Sequence, residues 1–306
     1  MRGIVLGSSG IGRIHIREYI KNDIDKIGIL NSKTESTKNA AEKLSAEYSK
    51  KIIGYESIEQ ICSLKPVLVS ICIPNALHLK YATELLKAGS YILVEKPLFW
   101  DNNLNGNQII ESCEKIFDIS ENKLRVNHPS ATLTSQLKQS TDIHGEINFF
   151  NLSYYTKGNY SGRDIGVDLL PHALSALSSF IPERQINPEH IKIKRIHSDT
   201  GQWSFEGEIM GIKCIFDFQQ GEKIKKTRLS ININNEKYVR RQYIDNLGDM
   251  VVGMVVDSSQ EEINVGNPMS LNIKNFIDTS RNRGKFINER EHVMNIIKSM
   301  VKILAD

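Results

Sequence analysis

Hydrophobic residues in the first half of the chain fall into short runs separated by amphipathic segments. The run Val67–Ile73 is almost entirely apolar, as expected of a strand buried on both faces. The segment His78–Lys87, which ends shortly before Gly89, repeats its apolar residues at helical spacing. Strands and helices that alternate in this way over residues 1–126 predict a doubly wound parallel sheet.

The pattern changes in the second half, where apolar and polar residues alternate. Gln202–Ile209 and Ile212–Phe218 are the clearest examples, and polar turns such as Asn234-Asn235 separate the strands. This period predicts a largely antiparallel open sheet with a helix on one face. Because 306 residues exceed the size at which one core keeps growing, we expect an N-terminal α/β domain over 1–126 and a C-terminal α+β domain over 127–306.

The composition of the chain limits the kinds of partner that it could bind. The net charge of +3 is too small to indicate nucleic-acid binding, and there is no run of about 18 apolar residues that would indicate a membrane span. The four cysteines have no paired spacing, which is typical of reduced thiols. We therefore expect a cytoplasmic protein, and we assign no metal-binding residues.

A glycine-rich turn follows the first predicted strand, Gly3–Leu6, and precedes a helical pattern. This arrangement offers backbone N–H groups and a helix N-terminus to a pyrophosphate. Gly7 and Gly12 occupy the first and third glycine positions of the dinucleotide fingerprint, whereas Ser9 replaces the middle glycine, which normally lets the backbone approach the phosphates. We expect the whole loop to bind the cofactor: Gly7, Ser8, Ser9, Gly10, Ile11 and Gly12.

The end of the second predicted strand, Lys26–Leu30, bears on the choice of cofactor. An NAD site usually has an acidic residue here to bind the ribose hydroxyls, but this chain has Asn31, Ser32 and Lys33. A hydroxyl and a cation suit a ribose phosphate, so NADP is favoured over NAD. The alternative is that Lys33 is a solvated residue opening the next helix.

A lysine follows the apolar run Tyr91–Val94. Glu95 and Lys96 end this strand, and Pro97 stops its pairing. Ligands of open parallel sheets bind outside the carboxyl ends of the strands, so Lys96 is in a position to touch a substrate. The alternative is an ordinary surface Lys-Pro turn.

Three motifs, each at the end of a predicted strand, together resemble the Gfo/Idh/MocA family, the glucose-fructose oxidoreductase and inositol dehydrogenase group. They are the glycine loop followed by Arg13 and His15, the segment Ile73–His78, and Glu95-Lys96-Pro97. The resemblance implies a Rossmann domain that binds NAD(P). It also implies that Pro74, Asn75 and His78 lie on the nicotinamide side and that Glu95 shapes the cofactor site.

The second half contains the family's Asp-x-x-x-His pattern at Asp168 and His172. Residues four apart on a helix share one face, and histidine titrates near neutral pH, as a base for an alcohol requires. The resemblance implies that His172 is the acid/base, that Lys96 polarises the substrate oxygen and shares the proton, and that Asp168 fixes the substrate or the histidine. Relatives differ over which of lysine and histidine takes the proton. The alternative is a helix-capping aspartate near an unrelated histidine.

We therefore predict an NAD(P)-dependent oxidoreductase that interconverts a hydroxyl and a ketone on a sugar, cyclitol or nucleotide-linked sugar. The resemblance also implies a homodimer or homotetramer formed through the C-terminal sheet, and a terminal helix over 291–304 that packs back near the first domain.

Three alternatives stay open. A non-catalytic dinucleotide-binding sensor is favoured by Ser9 and by Asn127–Thr132, which replaces a basic run common in the family. A structural protein could bind partners through the open sheet. An imine or enone reductase of the biliverdin reductase kind would need no histidine base.

Overall fold

A computed structural model describes residues 1–64, 67–141, 143, 145–181, 183, 185–246 and 249–305 of the chain. The chain forms two compact units. Unit 1 comprises Met1–Asn127 and Asn272–Met294, and unit 2 comprises His128–Leu271 and the chain from Asn295 onward. Unit 1 therefore includes a C-terminal segment that the sequence analysis assigned to the second domain.

Unit 1 is built on a parallel sheet whose six described strands follow the order β3-β2-β1-β4-β5-β6. The strands are β1 (Arg2–Leu6), β2 (Lys26–Leu30), β3 (Ile52–Gly54), β4 (Leu68–Ile71), β5 (Tyr91–Glu95) and β6 (Leu124–Asn127). Ile4, Val69 and Ile92 have no exposed surface, as expected of strands buried on both faces. The predicted doubly wound parallel sheet is confirmed.

Helices connect these strands. They are α1 (Ile11–Lys21), α2 (Thr34–Tyr48), α3 (Ile58–Cys62), α4 (His78–Lys87) and α5 (Gly106–Ser120), with a 3₁₀ turn at Asn75–Leu77 before α4. Asn105 caps α5 in a capping box with Gln108, which fixes the start of this helix at Gly106.

Two helices near the end of the chain, α8 (Pro268–Arg281) and α9 (Glu289–Leu304), contain residues of both units. Their unit 1 residues bond to β6. Asn275 Oδ1 accepts a hydrogen bond from Arg125 at 2.6 Å, and Glu289 Oε1 accepts the Val126 N–H at 2.8 Å. These long-range bonds explain why the segment 272–294 belongs to unit 1.

Unit 2 contains α6 (Pro129–Ser140), α7 (Arg163–Ser178), a 3₁₀ turn at Pro188–His190 and a sheet whose eight described strands follow the order β14-β13-β12-β11-β7-β10-β9-β8. The strands are β7 (Phe149–Thr156), β8 (Ile191–Ser198), β9 (Gln202–Ile209), β10 (Ile212–Gln220), β11 (Arg228–Ile233), β12 (Glu236–Ile244), β13 (Met250–Val256) and β14 (Glu262–Asn264). Strands β7 and β10 pair in parallel, and the other described pairs are antiparallel. The predicted, mostly antiparallel C-terminal sheet is confirmed.

Aromatic residues form much of the core of unit 2. The ring of Phe216 lies 5.3 Å from that of Phe205 and 6.3 Å from that of Phe218, measured between centroids. A Cβ on Gly166 of α7 would lie 2.8 Å from the Trp203 ring. Glycine at this position therefore lets α7 approach β9 closely.

Helices α6 and α8 and strands β13 and β14 were not predicted. Helix α6 buries Ser130 and Thr134 where an amphipathic helix usually has apolar residues, and the Thr134 hydroxyl donates to the Ser130 carbonyl oxygen at 2.9 Å. Buried polar residues of this kind obscure the apolar period from which helices are predicted. Strand β14 has only three residues, too few to show any period.

Two expectations drawn from composition concern thiols and membranes. All four cysteines are free thiols, and burial raises the pKa of Cys113 to about 12. Such a thiol stays neutral and unreactive at physiological pH. No helix in the described part of the chain combines the length and the apolar character needed to cross a bilayer.

The side chain of Glu289 generates a prediction about pH. Burial raises the pKa of this half-buried carboxyl, although the charge of Arg125 and the Val126 N–H oppose the shift. A pKa raised by folding means that the native state loses stability as ionisation proceeds with rising pH. We expect Glu289→Gln to become progressively more stable than the parent protein between about pH 4 and pH 7, as measured by urea unfolding.

The matched control is Glu291→Gln, because Glu291 is an exposed carboxyl in the same helical turn. Its stability difference from the parent should not follow the same trend. If the stability gain of Glu289→Gln over the parent stays constant or shrinks as pH rises, the pKa of Glu289 is not raised by folding.

Candidate active site

The glycine loop of unit 1 connects β1 to α1. Gly7 has φ +82, its N–H donates to the Leu30 carbonyl oxygen at 2.9 Å, and a Cβ on it would lie 2.5 Å from the Cys72 carbonyl oxygen. A Cβ on Gly12 would lie 1.7 Å from the carbonyl oxygen of Gly7. Both outer glycines are therefore required by close backbone packing, as the fingerprint demands.

The start of α1 is suited to an anion. Gly10, with φ 49, is the N-cap residue; no side chain caps this end, and the first turn has no acidic residue. The preceding Ser9, which stands in place of the middle glycine, is exposed. A helix N-terminus without a side-chain cap presents N–H groups and the positive end of the helix dipole to a phosphate. The predicted loop residues thus fit a dinucleotide pyrophosphate.

Asn31, at the end of β2, uses its side chain to hold this loop. Its Oδ1 accepts the Ser8 N–H at 2.9 Å, and its Nδ2 donates to the Ser8 hydroxyl at 2.9 Å. The Asn31 N–H donates in turn to the Thr37 hydroxyl at 2.9 Å. Ser32 and Lys33 are exposed to solvent. Of the three residues predicted to meet the ribose, Asn31 is therefore engaged within the protein, while Ser32 and Lys33 face outward.

His78, at the start of α4, lies between two turns. Only 1% of its surface is exposed, its Nε2 is 2.8 Å from the Ile73 carbonyl oxygen, and its Nδ1 is 3.1 Å from the carbonyl oxygens of both Pro97 and Leu98. Burial lowers the pKa of His78, although the backbone carbonyl groups oppose the shift. The ring joins the turn after β4 to the turn after β5. Contact of Pro74, Asn75 and His78 with nicotinamide stays a prediction.

Glu95 ends β5 and is 9% exposed. Its Oε1 accepts hydrogen bonds from His15 Nε2 at 2.8 Å and from Asn127 Nδ2 at 2.6 Å. Burial alone would raise the pKa of this carboxyl, but the hydrogen bond and charge of His15, the bond from Asn127 and the charge of Lys96 outweigh it, so the pKa is lowered. The half-buried Lys96 follows directly, and its peptide bond to Pro97 is cis.

One group among the described residues has the composition of a metal site. Ligand atoms of His15, Cys72 and Glu95 lie within 4.8 Å of one another. Burial and the charge of Glu95 raise the pKa of the Cys72 thiol well above its usual value, whereas a metal ligand would have to be a thiolate. With Glu95 already accepting two hydrogen bonds, the contacts fit a hydrogen-bonded cluster, and we keep the prediction that the site uses no metal.

Asp168 and His172 occupy successive turns of α7 in unit 2. The His172 side chain is 8% exposed and its Nδ1 lies 2.9 Å from the Ser130 hydroxyl. The Tyr154 ring meets the imidazole edge to face, with 5.2 Å between centroids. Asp168 Oδ2 accepts a hydrogen bond from Gln220 at 3.0 Å. The predicted helical pair is therefore embedded in polar residues from α6 and the sheet.

Several residues that surround Asp168 and His172 were not predicted from the sequence. Ser130 and Gln220 contact the Asp168 and His172 side chains from distant parts of the chain. The guanidinium of Arg240 lies 5.6 Å from the centroid of the Tyr154 ring, a cation–π distance. Tyr154 stands in a conspicuous polar aromatic stretch of the sequence, Tyr154–Arg163, and Ser130 lies in the segment that replaces the family's basic run, whereas nothing in the sequence marks Gln220 or Arg240.

Comparison with known proteins agrees with this fold. Residues 1–123 match the model of an oxidoreductase family with an NAD-binding Rossmann fold, GFO_IDH_MocA. D-glucoside 3-dehydrogenase of Escherichia coli (strain K12) is 25% identical over 99 residues, which are 32% of this chain and 27% of that enzyme.

Two solved structures extend the likeness to the whole chain. UDP-N-acetylglucosamine 3-dehydrogenase from Acidithiobacillus ferrooxidans has a TM-score of 0.70 at 15% identity, covering 100% of this chain and 98% of that chain. Biliverdin reductase from Synechocystis sp. PCC 6803, in complex with biliverdin and NADP+, has a TM-score of 0.67 at 15% identity, covering 99% of this chain and 98% of that chain. At this identity the likeness shows a shared fold.

The glycine loop and the parallel sheet define a Rossmann domain of the NAD-binding type. The match to the Gfo/Idh/MocA family model covers residues 1–123, the part of the chain that contains the three motifs. The match to the curated sugar dehydrogenase spans about a quarter of that enzyme's length, 27%.

The bonds of Asn31 generate a prediction about stability. Asn31→Ala removes the acceptor of the buried Ser8 N–H, and an unsatisfied buried donor costs about 1–3 kcal/mol. We expect urea unfolding to show a loss of this size, and Asn31→Asp, which keeps the acceptor, to lose less. The control Asn39→Ala removes an exposed amide bonded to Glu35 and should stay within about 0.5 kcal/mol of the parent. Equal losses for the two alanine variants would refute the role given to Asn31.

Proposed function

We propose that the chain is an NAD(P)-dependent oxidoreductase that interconverts a hydroxyl and a ketone on a sugar, cyclitol or nucleotide-linked sugar. The observation that carries the proposal is that the required glycines of the β1–α1 loop and Lys96 after β5 lie at the carboxyl edge of one parallel sheet. This is the edge at which open α/β sheets bind ligands. Two relatives are sugar 3-dehydrogenases, which supports a carbohydrate substrate.

The chain's own residues suggest how NADP would be held. The loop Gly7–Gly12 and the start of α1 receive the pyrophosphate, and the exposed Ser32 and Lys33 receive the ribose phosphate. When bound, the nicotinamide supplies the hydride acceptor or donor. The relative crystallised with biliverdin also holds NADP+, which supports this preference.

The remaining residues handle the substrate oxygen and its proton. Lys96 polarises the oxygen and shares the proton, and His172 acts as the acid/base. Ser130 contacts Nδ1 of the imidazole, so we assign the exchange of a proton with the substrate to Nε2. Asp168, oriented by the bond from Gln220, fixes the substrate or the histidine.

We also propose that the chain forms a homo-oligomer through the sheet of unit 2. The face opposite α7 carries the half-exposed apolar residues Ile215, Val239, Val251 and Val255. An open sheet face with apolar residues is the type of surface that a second copy covers.

The first test concerns cofactor choice. Fluorescence titration of protein stripped of carried-over nucleotide should show tighter binding of NADPH than of NADH. Lys33→Ala should weaken NADPH binding about tenfold, because one charged contact to phosphate is lost, and should change NADH binding by less than about twofold. Lys38→Ala, which removes another exposed lysine from α2, is the control. Equal effects on both cofactors would contradict the role of Lys33.

The second test concerns catalysis. Formation of reduced cofactor is followed with glucosides and with UDP-N-acetylglucosamine as candidate substrates. With an active substrate, His172→Asn should lower kcat about 10²–10⁴-fold, the usual contribution of a general acid/base. His190→Asn, which changes an exposed histidine, should leave kcat unchanged.

A second candidate function is suggested by the shared fold with biliverdin reductase. A reductase of an imine or enone needs no histidine base. If such substrates are reduced and His172→Asn retains nearly full turnover, this alternative replaces the sugar dehydrogenase.

A further inference from the structure

A chain of buried hydrogen bonds runs through unit 1 beneath Glu95. Tyr19 and His15 of α1 both contact the Ser70 hydroxyl of β4 at 2.8 Å, and His15 Nε2 reaches Glu95 at 2.8 Å. From the other side, Asn127 donates to Glu95. His15, Tyr19 and Ser70 have no exposed surface. Polar groups buried this deeply are kept only where each is satisfied.

The direction of each bond follows from the carboxylate. An ionised Glu95 can only accept, so His15 Nε2 carries a proton and donates it. If His15 is neutral, its Nδ1 accepts the Ser70 hydroxyl proton, and Ser70 accepts from Tyr19. With these directions both imidazole nitrogens and the hydroxyls of Ser70 and Tyr19 each have a partner.

A second side chain, that of Asn127, also donates to Glu95 and is itself held by a hydrogen bond. Asn127 Nδ2 donates to Glu95 at 2.6 Å, and Asn127 Oδ1 accepts from Asn272 at 2.9 Å, which fixes the orientation of the Asn127 amide. Two donors from different elements therefore hold one carboxylate oxygen. Glu95 cannot rotate away without leaving buried donors unpaired.

We infer that His15 is a positioning residue for Lys96: acting through Glu95, it keeps a fixed negative charge next to the lysine. The inference rests on the proposed role of Lys96 in turnover. The ionised carboxylate stabilises the ammonium form, so Lys96 meets the substrate oxygen as a proton-bearing group. Among the described residues, Cys72 and His78 also interact electrostatically with Glu95; burial raises the pKa of the Cys72 thiol and lowers the pKa of the His78 imidazole, which favours their neutral forms.

The test measures how readily the amine of Lys96 is acetylated, and it needs neither cofactor nor substrate. The protein is treated with an N-hydroxysuccinimidyl acetate, which acylates only the neutral amine, and acetylation of Lys96 is followed by peptide mass spectrometry at about pH 8. Glu95→Gln keeps the acceptor oxygen but removes the charge. We expect it to raise the acetylation rate about tenfold, since a neighbouring opposite charge shifts an ionisation equilibrium by at least that factor.

Substitutions of His15 separate positioning from packing. Gln presents a donor and an acceptor with similar spacing to the imidazole nitrogens, so His15→Gln should leave the Lys96 rate near that of the parent. His15→Leu puts an apolar side chain of similar size in place of the imidazole and removes its hydrogen bond to Glu95. It should raise the acetylation rate of Lys96 by about threefold or more. Glu206→Gln, which removes a partly buried carboxylate beside Lys194, is the matched control and should have no effect on Lys96.

Two results would overturn the inference. One is a Lys96 acetylation rate that does not rise in Glu95→Gln, including the case in which Lys96 stays unreactive. The other comes from ¹⁵N NMR of the imidazoles, with the His15 signals assigned from His15→Gln: a neutral Nδ1–H tautomer, whose Nε2 carries no proton, contradicts the donation to Glu95. Because neither readout involves turnover, the inference can fail while the oxidoreductase proposal stands, and the reverse.

Discussion

The buried carboxylate of Glu95 is the constraint on which the carboxyl edge of unit 1 depends. An ion removed from water costs on the order of several kcal/mol unless hydrogen bonds and opposite charge replace its solvation. Here the replacement comes from His15 and Asn127, which belong to α1 and β6. The carboxylate thereby fixes the positions of elements that flank β5. Because Asn272 holds Asn127, the returning segment of the chain is part of the same arrangement.

The residues around this edge divide into those that hold turns and those that face outward. Asn31 and His78 use their polar atoms to hold the glycine loop and the Pro97 turn. Ser32 and Lys33 remain exposed beside the loop, and Lys96 is half-buried. A rigid frame with few outward-facing polar groups suits a site that must orient a cofactor before it reacts. In unit 2, Ser130 and Gln220 support His172 and Asp168 in a comparable way.

Local sequence patterns predicted much of the fold. Strands β2 and β9 have the bounds that their apolar patterns predicted, and the glycine loop lies between a strand and a helix as expected. Such features depend on neighbouring residues. The bonds of His78 and Asn31 depend on partners about 20 residues away along the chain, as in His78 with Leu98. No single-sequence pattern reveals these bonds, so the sequence predicted a cofactor role for both residues but not their role in holding the turns.

The same dependence on distant partners explains why some helices and contacts were not predicted from the sequence. Helix α6 could not be recognised because Thr134 is buried through hydrogen bonds instead of apolar contacts. The segment 272–294 joins unit 1 through side chains such as Asn272, whose partner lies 145 residues earlier. Arg240 and Tyr154 meet only because β12 and β7 belong to the same sheet.

The charge of Glu95 is the most direct point at which to test this account. The ¹³C chemical shift of the Glu95 carboxyl carbon, assigned by its absence in Glu95→Gln, reports whether the group is ionised. We expect a carboxylate at neutral pH whose signal does not titrate until the pH falls below the usual range for glutamate, about 4. A signal that shows a protonated carboxyl near neutral pH would contradict it, because neither the His15 bond direction nor the fixed charge beside Lys96 would then exist.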